Sequence, residues 1–484
     1  MIDYMDELTA FCAERNNTFR AWMDRDREPM ETLIREQAEK VRQNRRITPL
    51  LSPEDYYARI RAHLAERLGD EDAAEAEAAV RLGAISTADH HGGLFCSQTF
   101  QGNLLFGEIL KELGSDGKVI PIMPGGQVEL DSSTYARGIN TYVYADRKQR
   151  LPMFSDKPRA RIASCAPAIT DDLVSRFRER FVETETSETL RNALDCILRE
   201  AYEPDRILGS RRFEDQVTRI GAALSRGLFR GEGPVIAYME METLTRSMLT
   251  EEIREGVSPL ARMLADPAAR QWMNQAPAED GTPLSQLFFR TADVKGRKVL
   301  LTLTEEGTLT GRDWHGAPVS FDGRPETLVS LLEQDILIPG PLSIAIMTFF
   351  ERGITWLGGV FQSCYLPKWQ QHTAALLEVA GMHAEAETVL RYDCTGYTCG
   401  PMTALYQGDG FATCAGPVEF RIGEPDFARF AQVMRRTAVG DAHRIGLAEM
   451  FFDRAAKDER TDGWYQRISE ALYRRFPENV MANE

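Results

Sequence analysis

The side chains best suited to chemistry in this sequence are Asp89, His90 and His91, which follow one another directly. They come after a short apolar run, Ala84–Ala88, and before a pair of glycines and an amphipathic stretch, Gln98–Leu113. Imidazole acts as an acid, a base or a metal ligand near neutral pH, and an adjacent carboxylate fixes its tautomer. We therefore expect Asp89, His90 and His91 to be catalytic residues at a strand-to-helix turn. The alternative is that one histidine caps the helix and the other is packed.

Two glycine pairs indicate close approach of the backbone to a ligand. Gly92-Gly93 follows the histidines, and Gly358-Gly359 follows a second apolar run. Backbone N–H groups at such turns can hold an anion or a carboxylate. Gln362 and Tyr365 come next, three residues apart, so they share one face of the expected helix. The alternative for this second turn is packing alone, with Tyr365 in the core.

A third candidate segment follows the apolar run Lys118–Met123. Gln127, Glu129 and Asp131 lie just after that run and could reach the same crevice, although a solvated loop is the alternative. The residues that we expect to bind a substrate or a nucleotide are Thr87, Gly92, Gly93, Gln98, Asn103, Gln127, Gly358, Gly359, Gln362 and Tyr365.

The elements that must position these groups predict a βαβ unit. Ala84–Ala88 and Lys118–Met123 are the strands, and Gln98–Leu113 is the helix between them. Pro234–Met239 is a further strand, and Arg161–Pro167 is a candidate strand between them in sequence. Because these runs lack alternation, we expect strands buried on both faces, in a doubly wound, mainly parallel α/β sheet of the Rossmann-like type. Its glycine turns should converge in one crevice at the switch point of the sheet.

Changes in composition and hydrophobic periodicity along the chain divide the sequence into five segments. One of these segments also contains a predicted β-hairpin. Arg297–Thr304 and Pro318–Phe321 are its strands, with the turn between Gly307 and Gly316. The five segments are a helical N-terminal extension at 1–82, the first part of the core at 83–168, a helical insertion at 169–232, the second part of the core at 233–390, and a Cys/Gly-rich segment with C-terminal helices at 391–484.

Composition limits the classes of partner. The 484 residues carry a formal net charge of −16, which does not suit a nucleic-acid surface. No run approaches the roughly 18 apolar residues of a membrane span, and the acidic start does not resemble a secretory signal, so we expect a cytoplasmic protein. Cys394, Cys399 and Cys414 form C-x4-C-x14-C, whereas zinc and iron–sulfur sites usually contain C-x2-C pairs. Reduced thiols are the simpler interpretation, and a metal there stays open.

Three segments, taken in order, resemble the bacillithiol-synthesis cysteine-adding enzyme family. Thr87-Ala-Asp-His-His-Gly-Gly-Leu-Phe is similar to its Thr-Gly-Gln-Gln-x-Gly-Leu-Phe turn, and Val119-Ile-Pro-Ile-Met is similar to its next strand. The stretch from Leu337 to Tyr365 is similar to its leucine-rich run and Gly-Gly turn. His90-His91 replaces the Gln-Gln pair of the family. The resemblance implies a Rossmann-like core, shared with nucleotidylyltransferases and class I synthetases, and C–N bond formation with an amino acid.

These patterns leave three functions open. The first is a small-molecule biosynthetic ligase or transferase that forms a C–N bond to an amino acid or amine, with ATP or ADP as the candidate cofactor. The second is a metal-dependent hydrolase that uses Asp89, His90 and His91, and the third is a binding protein without activity. The sequence contains no Gly-x4-Gly-Lys-Ser/Thr pattern, which argues against a P-loop NTPase. We expect a small molecule as partner, no nucleic acid or membrane, and leave a homodimer open.

Overall fold

Two sheets organise the protein, one parallel and one antiparallel, and helices surround them. A computed structural model describes residues 4–15, 22, 25–89, 95–132, 137–183, 186–454, 460 and 462–481. Within these ranges the strands are β1 Ala84–Ser86, β2 Val119–Ile122, β3 Gly138–Thr141, β4 Gln149–Pro152, β5 Val235–Tyr238, β6 Phe289–Ala292, β7 Lys298–Leu303, β8 Thr308–Arg312, β9 Pro318–Asp322, β10 Ile338–Pro339, β11 Thr355–Gly359, β12 Tyr397–Cys399, β13 Leu405–Gly408 and β14 Phe411–Cys414.

Helices make up most of the remaining described chain. The α-helices are Tyr4–Arg15, Met30–Arg45, Glu54–Leu68, Asp70–Val80, Ser97–Leu113, Asp171–Glu183, Glu188–Ala201, Asp205–Leu208, Phe213–Leu228, Met241–Glu255, Pro259–Ala265, Pro267–Gln275, Pro325–Glu333, Pro341–Ala345, Gln362–Val379, His383–Leu390, Pro417–Gly423, Phe427–Arg436, Val439–Arg454 and Trp464–Arg475. Short 3₁₀ turns lie at Ala163–Cys165, Leu284–Leu287 and Pro477–Asn479, and a π-turn at Ile346–Phe350. Of the helices described here, none is both long and apolar enough to cross a membrane.

The parallel sheet contains five strands in the order β12-β11-β1-β2-β5, and every neighbouring pair runs parallel. All residues of β1 and β2 are buried, as the lack of alternation in their sequence predicts. The mixed α/β fold around a parallel sheet is therefore confirmed. Because the strands are parallel, the ends of β1, β2, β5 and β11 all meet at one edge of the sheet.

Two hydrophobic cores cover the two faces of this sheet. Successive residues of β2 alternate between them, with Ile120 and Ile122 in one core and Val119 in the other. The helix Ser97–Leu113 packs closely on the first face, where a Cβ atom on Gly107 would lie 2.6 Å from the Cδ1 atom of Ile120. A glycine on that helix face thus brings helix and sheet together.

The antiparallel sheet has five strands in the order β10-β6-β7-β8-β9. The predicted hairpin is wrong in one respect, because β8 (Thr308–Arg312) lies inside the stretch assigned to the turn. Gly307 and Gly316 adopt positive φ angles of 81° and 78°, so each supports its own tight turn. The result is a meander of three strands rather than one hairpin with a long turn.

The predicted strand at Arg161–Pro167 is also wrong. Ala163–Cys165 forms a 3₁₀ turn, and only isolated bridges flank it, joining Ile162 to Glu129 and Arg161 to Arg297. An apolar run of this length becomes a strand only where a neighbouring strand is free to pair with it. Here the backbone of the segment bonds instead to the loop that follows β2, at Gly126, Val128 and Leu130, so it does not pair with a strand of the parallel sheet.

Candidate functional site

A cavity of about 410 Å³ lies at the carboxyl ends of the parallel strands. Thr87 follows β1, Gly125 follows β2, Glu242 follows β5 and Gln362 follows β11, and all four line the cavity. Open parallel sheets characteristically bind ligands at this edge, where loops from several strands meet. Side chains from β6 and β7 of the antiparallel sheet close the cavity from another direction.

Glu242 is the most perturbed carboxyl group that lines this cavity. Its side chain is only 3% exposed, and its Oε2 atom accepts a hydrogen bond of 2.6 Å from the backbone N–H of Gly126. Burial raises the pKa of Glu242 to about 7, although the hydrogen bonds from Gly126 and Gln127 partly offset that rise. A carboxyl group with this pKa can both accept and donate a proton near neutral pH.

Two further buried carboxyl groups lie behind Glu242. Glu240 accepts a hydrogen bond of 2.6 Å from the hydroxyl of Ser164, and burial raises the pKa of Glu240. Burial and the neighbouring Glu240 raise the pKa of Glu214 to about 9. Gly126 lies against this group, because a Cβ atom there would be 2.2 Å from the Ser164 Oγ atom and 2.3 Å from Glu240 Oε1.

The ends of β1 and β11 meet through a hydrogen bond between side chains. The hydroxyl of Thr87 donates to Oε1 of Gln362 at 2.8 Å, across 275 positions of sequence. The Gln362 amide lies over the backbone of Gly358, where a Cβ atom would come within 1.9 Å of Oε1. A Cβ atom on Gly359, by contrast, would have no neighbouring atom within 4 Å. The ends of β1 and β11 therefore meet at Thr87 and Gln362, whereas the predicted approach of His90, His91 and Gly92 to this turn lies outside the described residues.

Aromatic rings form another wall of the cavity. Tyr365 packs on Trp369 with ring centroids 4.8 Å apart, and Trp356 also lines the cavity. Gln127 also lines the cavity, and its Nε2 atom donates a hydrogen bond of 2.6 Å to the carbonyl of Pro339. Burial raises the pKa of Tyr365 above its ordinary value, so its phenol stays protonated.

Two cationic side chains complete the lining, Arg290 from β6 and Lys298 from β7. Burial lowers the pKa of the Arg290 guanidinium to about 10, which leaves it charged at neutral pH. The cavity thus combines a titratable carboxyl group, cations, amides and aromatic faces. Such a set can bind an anionic or zwitterionic small molecule and move a proton to or from it.

Five described residues of the predicted site are not part of the cavity lining: Gly358 and Gly359 in β11, and Asp89, Gln98 and Asn103. The carboxylate of Asp89 is fully buried and accepts a hydrogen bond of 2.5 Å from the Tyr238 hydroxyl. The Asn103 amide donates to the same hydroxyl at 3.3 Å. Gln98 lies in the first turn of the helix that carries Asn103, and its carbonyl accepts from the thiol of Cys399. These groups connect β1, β5 and that helix.

The predicted residues His90, His91, Gly92 and Gly93 lie outside the described residues. They follow Asp89 directly in the chain, and their roles stay predictions. The three cysteines of the C-x4-C-x14-C pattern, Cys394, Cys399 and Cys414, are buried. Among the side chains that the structure describes, no group of three His, Cys, Asp or Glu is arranged to hold a metal ion.

Sequence reasoning missed Glu242, Arg290 and Lys298. A signal for Glu242 exists, because Glu240 and Glu242 follow β5 in the same way that Asp89 follows β1. Arg290 and Lys298 carry no such signal, since each is an ordinary basic residue in an antiparallel strand. No protein-family model matches the chain, and a search of curated proteins finds no match.

Proposed function

We propose that the protein is a small-molecule biosynthetic enzyme, a ligase or transferase that forms a C–N bond to an amino acid or amine. Glu242 carries the proposal, because a fully buried carboxyl group with a pKa near 7 lies in a cavity at the strand ends of a parallel sheet. Resemblance of the strand-end segments to the cysteine-adding enzyme family supports the same class of reaction. It also supports the proposal that the parallel sheet belongs to a Rossmann-like fold.

In the proposed reaction, an amine nitrogen bonds to an activated carbon of a second substrate. The leaving group departs from that carbon with its bonding electron pair, and ionised Glu242 takes the proton that the nitrogen loses. Hydrogen bonds from Gly126 and Gln127 orient the carboxylate, while Thr87 and Gln362 hold the two strand ends together. His90 and His91 stay candidates for a second acid–base group, and ATP or ADP for the nucleotide. We place the reaction in the cytoplasm.

The first experiment finds the substrates. A thermal-shift screen with ATP, ADP and amino acids should raise the melting temperature of the purified protein, because a ligand that binds only the folded state stabilises it. Combinations that respond are then assayed for turnover. If no compound of these classes responds, the ligase proposal is wrong. Elemental analysis of the same sample tests the metal-dependent hydrolase that Asp89, His90 and His91 leave open.

The decisive variant is Glu242→Gln. It keeps the shape of the side chain and an acceptor for the Gly126 N–H, but it removes the proton acceptor. We expect turnover to fall about 10²- to 10⁴-fold, the usual contribution of a general base. In the wild type, kcat/KM should rise with pH and level off above about 7.

The matched control is Glu326→Gln, which makes the same change on the exposed face of the helix Pro325–Glu333. This control should retain wild-type turnover. Full activity in Glu242→Gln, with a normal circular dichroism spectrum, would exclude Glu242 as the base.

A further inference from the structure

Arg290 is a buried cation that forms no close ion pair with a described residue, although the charge of Asp280 favours its charged form from a longer distance. Its side chain is 7% exposed, and its one polar contact with a described residue is a distance of 3.4 Å from Nη1 to the carbonyl of Phe289. Across the described ranges, no carboxylate oxygen lies within 4.0 Å of its guanidinium. Taking a charge out of water without a partner is costly, and proteins seldom retain such a charge without a ligand or partner for it.

The strand pairing brings a second cation to the same side of the sheet. β6 pairs with a strand on each side, so Arg290 lies opposite Leu300 of β7 and opposite Ile338 of β10. Lys298 lies two residues before Leu300 on β7, so it is on the same face and diagonal to Arg290. Burial lowers the pKa of Lys298, the charge of Glu129 opposes that shift, and the charge of Arg290 adds to it. The two cations are thus close enough for the charge of Arg290 to lower the pKa of Lys298.

Both cations line the cavity that contains Glu242. A guanidinium presents its donors as a fork that matches a carboxylate or a phosphate, and an adjacent ammonium adds a second donor and charge. Glu129 and Glu242 lie in the same lining, so the cavity also offers groups for a substrate ammonium.

We propose that Arg290 and Lys298 form an oxyanion subsite of this cavity, which binds a carboxylate or phosphate group of the substrate. The assignment of that anion to a substrate rests on the proposed function, whereas the subsite itself rests on the two cations. Arg290 acts as the main contact because its backbone is fixed in mid-sheet and its guanidinium forms no close ion pair with a described residue. Lys298 is more exposed than Arg290 and adds a second donor and a second charge.

The test titrates the full-length protein with inorganic phosphate and, separately, with acetate, at an ionic strength held constant with chloride. Binding is read from the melting temperature and by calorimetry. We expect at least one anion to bind the wild type, and Arg290→Gln to weaken that binding by at least about tenfold, the scale of a charged hydrogen bond. Lys298→Gln should weaken it less. Lys295→Gln, an exposed lysine in the β6–β7 turn, should bind as the wild type does.

The two anions distinguish the sources of the charge. A preference for phosphate assigns a phosphoryl group to the subsite, and a preference for acetate assigns a carboxylate. Two results would overturn the proposal. In the first, Arg290→Gln binds both anions as tightly as the wild type does. In the second, the wild type binds neither anion. The titration needs no turnover. Anion binding can therefore be confirmed even if Glu242 is not the base, and Glu242 can be the base even if the anion does not bind.

Ligand-free stability supplies an independent readout. Arg290→Gln removes a buried charge that has no close ion pair among the described residues, so its melting temperature without anion should equal or exceed that of the wild type. Arg290→Lys retains the charge without the fork and should bind the anion with intermediate affinity. That variant gives the same comparison if Arg290→Gln does not fold.

Discussion

Buried carboxyl groups dominate the chemistry of individual residues in this protein. Glu242 and Glu214 are 3% and 5% exposed, and burial raises their pKa values to about 7 and about 9. Arg212 partly offsets the shift at Glu214, with its Nη2 atom 2.7 Å from Oε1. A glutamate in the unfolded chain ionises near pH 4.5. Between these pH values the folded protein holds protons that the unfolded chain has lost, so rising pH favours unfolding.

We expect the free energy of unfolding to fall as pH rises from about 5 to about 7. Each retained proton contributes up to about 1.4 kcal/mol per pH unit. Glu242→Gln should flatten this slope, because an amide does not titrate, while Glu214 maintains part of it up to about pH 9. Urea unfolding at a series of pH values measures the slope. Glu326→Gln should keep the wild-type slope, and an unchanged slope in Glu242→Gln would contradict the prediction.

At the scale of elements, the turn after β2 holds the buried acids in place. Gly125 and Gly126 are adjacent but differ in surroundings. A Cβ atom on Gly126 would overlap the Ser164 hydroxyl and the Glu240 carboxyl, whereas the nearest atom to one on Gly125 is 3.8 Å away, on Met241. The close approach at Gly126 also allows its N–H to reach Glu242.

Gly126→Ala should therefore destabilise the protein by about 1–3 kcal/mol, the cost of overpacking a filled site. It should also shift the pH dependence of turnover, because the hydrogen bond to Glu242 is displaced. Gly125→Ala, the control, should stay within about 0.5 kcal/mol of wild type. Chemical unfolding of both variants makes the comparison. Equal stabilities would show that the turn has more room than its contacts indicate.

At the scale of the whole molecule, Arg352 joins distant elements beneath the sheet. Its guanidinium contacts Asp55 in the helix Glu54–Leu68, with nitrogen–oxygen distances of 3.0 and 3.1 Å. It also lies 2.8 Å from Glu252 in the helix Met241–Glu255. Neighbouring Glu351 is 1% exposed and accepts from the backbone N–H of Leu260. One cation thus lies among two buried acids, Glu252 and Glu351, and a more exposed one, Asp55.

Arg352→Ala should cost about 3–5 kcal/mol of stability, because it leaves buried acids without their cation. The matched control is Arg324→Ala, which removes an arginine that is 76% exposed and paired with Asp322 at the surface. That control should change stability by no more than about 0.5 kcal/mol. Urea unfolding measures both. A small effect at Arg352 would mean that the acids are neutral and need no partner.

Much of the parallel sheet was predictable from the sequence, and the reason is local. The strands that begin at Ala84, Val119 and Val235 lie in short apolar runs without alternation, which is how a strand buried on both faces appears in sequence. That the ends of β1 and β11 lie at one edge was predictable too, because the strands are parallel, whereas the side-chain contact between Thr87 and Gln362 was not. The strand β8 was not, since the glycines that flank it also suit a single long turn.

The sequence alone thus determined the runs that form β1, β2 and β5, the helix between β1 and β2, and the edge at which polar groups gather, because periodicity and turn residues act over a few positions. Tertiary structure decided which polar groups line the cavity. Asp89 contacts Tyr238, whereas Glu242 and Arg290 line the cavity. Their charges and pKa values depend on how deeply distant segments bury them, and the depth of burial is a sum over contacts that no local pattern records.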